Sequence, residues 1–96
     1  MKRAEKYTPN NLRKYRHING YEQKEVAFLL GLRSAGRISE WENGISKPSM
    51  DNLMQLSIIY RTLPDELYYD LRQEFLKDFA KRQKLLLEKR VQDLGG

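Results

Sequence analysis

Ninety-six residues of 11.4 kDa hold one compact domain with an appendage, since separately folding domains run to about 100–150 residues. No apolar run approaches the ~20 residues that span a bilayer, and the absence of cysteine with a single histidine, His17, removes disulfides, thiolate nucleophiles, most structural zinc sites and His-dependent catalysis. The net charge of +5 sits wholly in residues 1–48, which carry ten Lys/Arg against five Asp/Glu, while residues 49–96 carry eight of each, so a polyanion-binding surface is expected in the first half.

Residues 1–9 read as a basic N-terminal arm. Thr8-Pro9 followed by Asn10 through Ile18 predicts a first helix, with the Thr8 hydroxyl as cap and proline where its missing N–H costs nothing. Asn19-Gly20 stops it. Glu22 to Leu30 predicts a second helix with Val26, Ala27 and Leu30 at helical spacing, and Gly31 supplies the left-handed stop. Leu32 to Gly36 connect to a third helix that runs through Ile38 and Trp41 to Asn43-Gly44. Ser49 caps a fourth, with Leu53, Leu56 and Tyr60 on one face, and Pro64-Asp65-Glu66 opens a fifth with an acidic first turn. No segment alternates with period two, so the fold is expected to be all-α.

Two short helices joined by a tight turn present the second of them outward. Ala27 lies where such helices cross, Gly31 makes the turn, and Ile38 returns an apolar contact. The run from Leu12 to Leu32, with Gln23 opening the second helix and the Ala27-x-x-x-Gly31 spacing, followed by Ile38-Ser-Glu-Trp-Glu-Asn-Gly-Ile-Ser-Lys-Pro-Ser49, closely resembles the Cro/lambda-repressor-type (XRE family) helix-turn-helix regulators. The resemblance covers about residues 10–70 and implies a five-helix, lambda-repressor-like DNA-binding domain over residues 10–69. By the same resemblance, Gln23, Lys24, Arg33, Asn43 and Lys47 lie on the DNA backbone, and Ser34, Ala35, Gly36, Arg37 and Glu40 face base edges. Arg16 and Glu42 are implied to form a partly buried ion pair. The chain departs from the commonest family spacing by one extra residue between Gly31 and Ile38, which leaves open which of Ser34 to Arg37 touch DNA. Trp41 and Tyr15 are read as core rather than stacking platforms, and His17 is assigned no role. The acidic pairs Glu22/Glu25 and Glu40/Glu42 do not make a usable magnesium set, so no enzyme is expected.

After residue 69 the apolar spacing continues in a helical extension over 70–96. At about 100° per residue, Tyr68, Phe75, Phe79 and Leu86 fall on one stripe, while Leu76, Ala80, Leu87, Val91 and Leu94 fall on a second. A helix that only covers its own domain needs one stripe. Together with Phe28 and Leu29, outward positions of the second helix, the extension is read as an association element whose candidate contacts are Phe28, Leu29, Phe75, Leu76, Phe79, Leu86, Leu87 and Val91; the competing reading folds it back over Phe28-Leu29. The functional expectation is a cytoplasmic, dimeric, sequence-specific double-stranded DNA-binding repressor that occludes promoter DNA and spans two half-sites about one helical turn apart. The alternative is the antitoxin of a toxin–antitoxin pair, with the extension binding a toxin protein; a pure protein-interaction module is a third. Neither a cofactor, a metal nor a membrane is expected as a partner.

Overall fold

A computed structural model describes residues 7–95; the first six residues of the basic arm lie outside that range. Six helices follow in order: α1 (Leu12–Ile18), α2 (Gln23–Leu29), α3 (Gly36–Glu42), α4 (Met50–Ile59), α5 (Pro64–Leu67) and α6 (Tyr69–Gly95). No strand occurs among the described residues, and no helix is long and apolar enough to cross a membrane.

The first helix starts later than Thr8-Pro9 suggests, and its cap is different. Asn10 Oδ1 accepts from the Leu12 N–H at 3.0 Å, while Asn10 Nδ2 donates to the carbonyls of Thr8 (3.1 Å) and Trp41 (2.9 Å). An amide carries two donor hydrogens as well as an acceptor, so Asn10 bonds the start of α1, the Thr8 carbonyl and the Trp41 carbonyl together, two donations and one acceptance that a hydroxyl with its single proton could not supply. Asn11 and Asn19 also donate to distant carbonyls, with Nδ2 reaching the Glu66 carbonyl at 2.9 Å and the Tyr60 carbonyl at 3.0 Å. At α2, Glu22 and Glu25 form a reciprocal capping box, the Glu22 N–H reaching Glu25 Oε1 at 2.8 Å. Ser49 Oγ caps α4 through the Asn52 N–H at 3.2 Å. At its other end Arg61 adopts φ 54°, a left-handed stop held by Thr62 N–H to the Ser57 carbonyl at 3.0 Å.

The core is built from the stripes these helices turn inward: Leu12, Val26, Ala27, Ile38, Trp41, Leu56, Tyr60, Leu67 and Tyr68, with Tyr15, Leu30, Leu53 and Leu71 packed against them. Burial pushes the Tyr60 phenol above its ordinary value and that of Tyr68 up to about 12, so the core carries no phenolate at ordinary pH. Gly44 closes the body. At φ 75° it lies so near Thr8 that an added Cβ would stand 2.5 Å from the Thr8 carbonyl oxygen, and its own carbonyl accepts the Thr8 N–H at 2.9 Å.

The extension does not fold back. α6 buries none of its residues, and Phe28 remains 81% exposed. A helix of 27 residues is about 40 Å long, and the molecule measures 61 × 30 × 22 Å with a radius of gyration of 18.1 Å, against about 12.5 Å for a compact chain of this length. A further apolar stripe, Met50, Met54 and Ile58 on the outer face of α4, is also exposed. The sequence reading considered only the inward side of that helix.

Candidate nucleic-acid interface

The turn between α2 and α3 is made where the glycine stands. Gly31 takes φ 74°, its N–H donates to the Phe28 carbonyl at 3.0 Å, and Leu32 N–H reaches the Ala27 carbonyl at 2.8 Å. These bonds satisfy carbonyls that the end of α2 would otherwise leave open. Residues Leu32 to Ala35 then carry the chain to α3, whose N-cap is Ala35. Of the seven residues in α3, Ile38, Trp41 and Glu42 are buried, while Gly36, Arg37 and Glu40 face solvent. The helix is thus anchored along one side and free along the other.

What fixes its angle is a charged cluster beneath it. Arg16 Nε donates to Glu42 Oε2 at 2.6 Å and Arg16 Nη2 to Oε1 at 3.1 Å, with the side chains 10% and 0% exposed. Arg13 Nε and Gln23 Nε2 also donate to Glu42 Oε1, at 3.3 and 3.0 Å, and Arg16 Nη1 donates to the Tyr21 carbonyl at 3.0 Å. One carboxylate therefore receives side chains from α1 and α2 while belonging to α3. Burial by itself would favour the neutral acid; hydrogen bonds from Arg16 and Gln23 and the charges of Arg16 and Arg13 outweigh it and hold the Glu42 carboxyl below its ordinary value. The bidentate fork and the extra donors are what allow this charge to be buried.

The outward side divides around Arg37. On one flank a cleft is lined by Arg37, Glu40, Ser46, Lys47, Ser49 and Asn52; on the other, a second cleft is lined by Gly31, Leu32, Arg33, Ser34 and Arg37. Arg37, Glu40, Arg33, Ser34 and Lys47 are therefore brought to one surface. Ser34 Oγ accepts the Gly36 N–H at 3.4 Å, and Ser46 Oγ donates to Glu40 Oε1 at 3.4 Å, a contact the sequence reading did not include. An alanine side chain at Gly36 would meet nothing closer than Ser34 Oγ at 3.6 Å, so packing within the fold does not require glycine there.

Other candidates lie elsewhere. Ala35 is partly buried. Lys24 lines a groove with Tyr21, Phe28 and Leu29, and pairs loosely with Glu22 at 3.8 Å. Asn43 is exposed, but its Oδ1 accepts from Arg13 Nη2 at 2.9 Å. Gln23 spends a side-chain donor on Glu42. Arg13 was missed by the sequence reading; its position one helical turn before Arg16 is the available signal. No group of three or more His, Cys, Asp or Glu able to hold a metal ion occurs among the described residues.

An all-α domain in which a glycine turn sets one short helix across another, with an arginine-rich outer face, defines a helix-turn-helix DNA-binding module. The family model described as helix-turn-helix matches residues 12–67, and the chain belongs to that family, in its XRE-type branch with the lambda-repressor-like fold. Among solved structures it is similar to the restriction-modification controller protein C.AhdI from Aeromonas hydrophila, at 31% identity and a TM-score of 0.54 over 60% of this chain and 83% of that one. No protein of curated function matches the chain. The protein is a DNA-binding transcriptional regulator.

Proposed function

We propose that this regulator acts as a repressor, binding two operator half-sites as a dimer and occluding promoter DNA. The observation that carries the reading is the outward face of α3, where Arg37 and Glu40 share one cleft with Lys47 and one arginine borders both clefts. Arginine's fork matches the O6 and N7 acceptors of guanine, glutamate accepts from cytosine N4, and lysine supplies a sequence-blind phosphate contact. Similarity to a restriction-modification controller protein supports control of transcription as the use of this face. The exposed α6 supports association, and occupying promoter DNA is enough to repress, whereas activation needs a dedicated polymerase contact.

The test is titration of operator and scrambled duplex at several salt concentrations, after selection of bound sequences from a random pool. Arg37→Ala should lose about 1–3 kcal/mol on operator and relax preference at one base pair. Lys47→Ala should weaken both duplexes alike and lower the salt slope by about one. A uniform loss with Arg37→Ala removes it from the base-reading set. The exposed helix also suits the antitoxin reading, which expects a chain that stays monomeric until a toxin protein covers α6.

A further inference from the structure

We infer that α6 is a self-association helix that pairs antiparallel with α6 of a second copy, through a seam of Ala80, Leu87, Val91 and Leu94 with Lys84 among them. The inference rests on the dimer reading above and adds to it the surface, the orientation and the register.

In the sequence, positions 80, 84, 87, 91 and 94 are separated by four, three, four and three residues, the 3.5-residue repeat that keeps one seam facing a partner helix. On the helix, Ala80, Lys84, Leu87 and Val91 border a shallow groove flanked by Gln83 and Glu88. Leu87 is 51% and Val91 69% exposed, and nothing in the body covers them. Phe75, Phe79 and Leu86 lie on the neighbouring arc, outside this seam. Leu71 alone among the apolar residues of α6 packs against the core, so the seam begins where the helix has already left the body.

Charge and shape select the second copy and its direction. Side-by-side parallel pairing sets Lys84 level with its own copy in the seam and brings two bodies to the same end. Paired helices approach to about 8–10 Å, whereas the molecule is 30 × 22 Å across its shorter dimensions. Antiparallel pairing places residue 80 opposite 91 and 84 opposite 87. Lys84 then faces Leu87 of the other copy with Glu88 one residue away, and Lys81 and Glu88 meet across the same edge twice by symmetry. The last residue of either helix reaches only the level of residue 76 on the other, short of the body. The two helix starts stand about 50 Å apart along the shared axis.

Because the chain has no cysteine, an introduced one is unique, and the full chain can be tested. Sedimentation should give a dimer for the wild type and a monomer for Leu87→Asp, with the Trp41 fluorescence of the folded body unchanged. On mild oxidation, an equal mixture of Ala80→Cys and Val91→Cys chains should yield the mixed cross-linked dimer as the main product. Ala80→Cys alone should give little, since two copies of residue 80 would be ~16 Å apart and a disulfide needs Cα atoms within about 7 Å. A wild-type monomer overturns this inference and the dimer reading together. A dimer that survives Leu87→Asp overturns the inference alone and moves the contact to another surface such as Met50, Met54 and Ile58. Efficient cross-linking of Ala80→Cys with itself shows parallel pairing, and a dimer without the mixed product rejects the register.

Discussion

Residues 7–68 and residues 69–95 are both helical, yet they are held by different physics. In the body the helices are short, seven residues in α1, α2 and α3, and an isolated helix of that length does not persist in water. Their order comes from a shared core and from polar side chains that close helix ends over long sequence separations. α6 has 27 residues and no buried one; its order comes from length and from leucine, lysine, glutamate, arginine and glutamine, all good helix formers. The same residue types therefore do opposite work. Leu56 is fixed by neighbours, whereas Leu85 is 65% exposed and fixed only by its own helix.

The contrast is broken most severely at Glu42. Removing its carboxylate strands Arg16 beneath α3, and Glu42→Ala should cost about 3 kcal/mol, read by chemical denaturation with Trp41 as the probe. pH gives an independent check. A carboxyl whose folded value lies below its ordinary 4.5 contributes stability that is fully present above 4.5 and is lost as pH falls through the folded value. The wild type should thus lose more stability between pH 6 and pH 3 than Glu42→Gln does. An equal loss in the two proteins would remove Glu42 from the acid response.

Gly44→Ala comes next, at about 2–3 kcal/mol, because the substitution both strains a positive φ and presses on the Thr8 backbone. A melting temperature within a degree or two of wild type would show that residues before α1 yield freely. Gly36→Ala should act in the other direction, adding up to about 0.5–1 kcal/mol of stability, since this glycine has an ordinary φ and an added methyl would make only an ordinary contact with Ser34 Oγ at 3.6 Å. If close approach of the α3 backbone to DNA is the use of that glycine, the more stable variant binds operator more weakly; unchanged affinity would leave the glycine without a DNA role. The smallest effect belongs to α6. Leu85→Ala, off the proposed seam, should move the unfolding of the body by less than about 0.5 kcal/mol, and a larger shift would mean that α6 and the body unfold as one unit.

The body was more legible in the sequence than the contacts that tune it. Val26, Ala27, Ile38, Leu56 and Tyr60 declare themselves by helical spacing, and Gly31 by its place after a leucine run, because periodicity and chirality are local properties. Asn19 reads as a stop signal, and Asn10 and Asn11 as residues of the first helix; that their amides reach carbonyls of Tyr60, Trp41 and Glu66 depends on the assembled helices. Arg13 was hidden for the same reason. Of the DNA-facing candidates, Arg37, Glu40, Arg33, Ser34 and Lys47 fall on one surface. Gln23 and Asn43 have side-chain bonds within the body, and Lys24 lines a different groove, because a linear motif does not specify which neighbour a side-chain donor will find. The outer α4 stripe was overlooked because a helix is usually asked for one apolar face.

The division of α3 into three buried and three outward positions has a bearing on how such a protein can change. Among the described residues the Arg37 side chain makes no hydrogen bond or ion pair, and the Glu40 side chain bonds only Ser46, so replacing either leaves Ile38, Trp41 and the Glu42 cluster intact. New operator preferences can then arise through single substitutions that incur almost no folding penalty, and they need no compensating change elsewhere. The buried positions have no such liberty. A lineage built on this body would be expected to inherit its helix angles and vary its target.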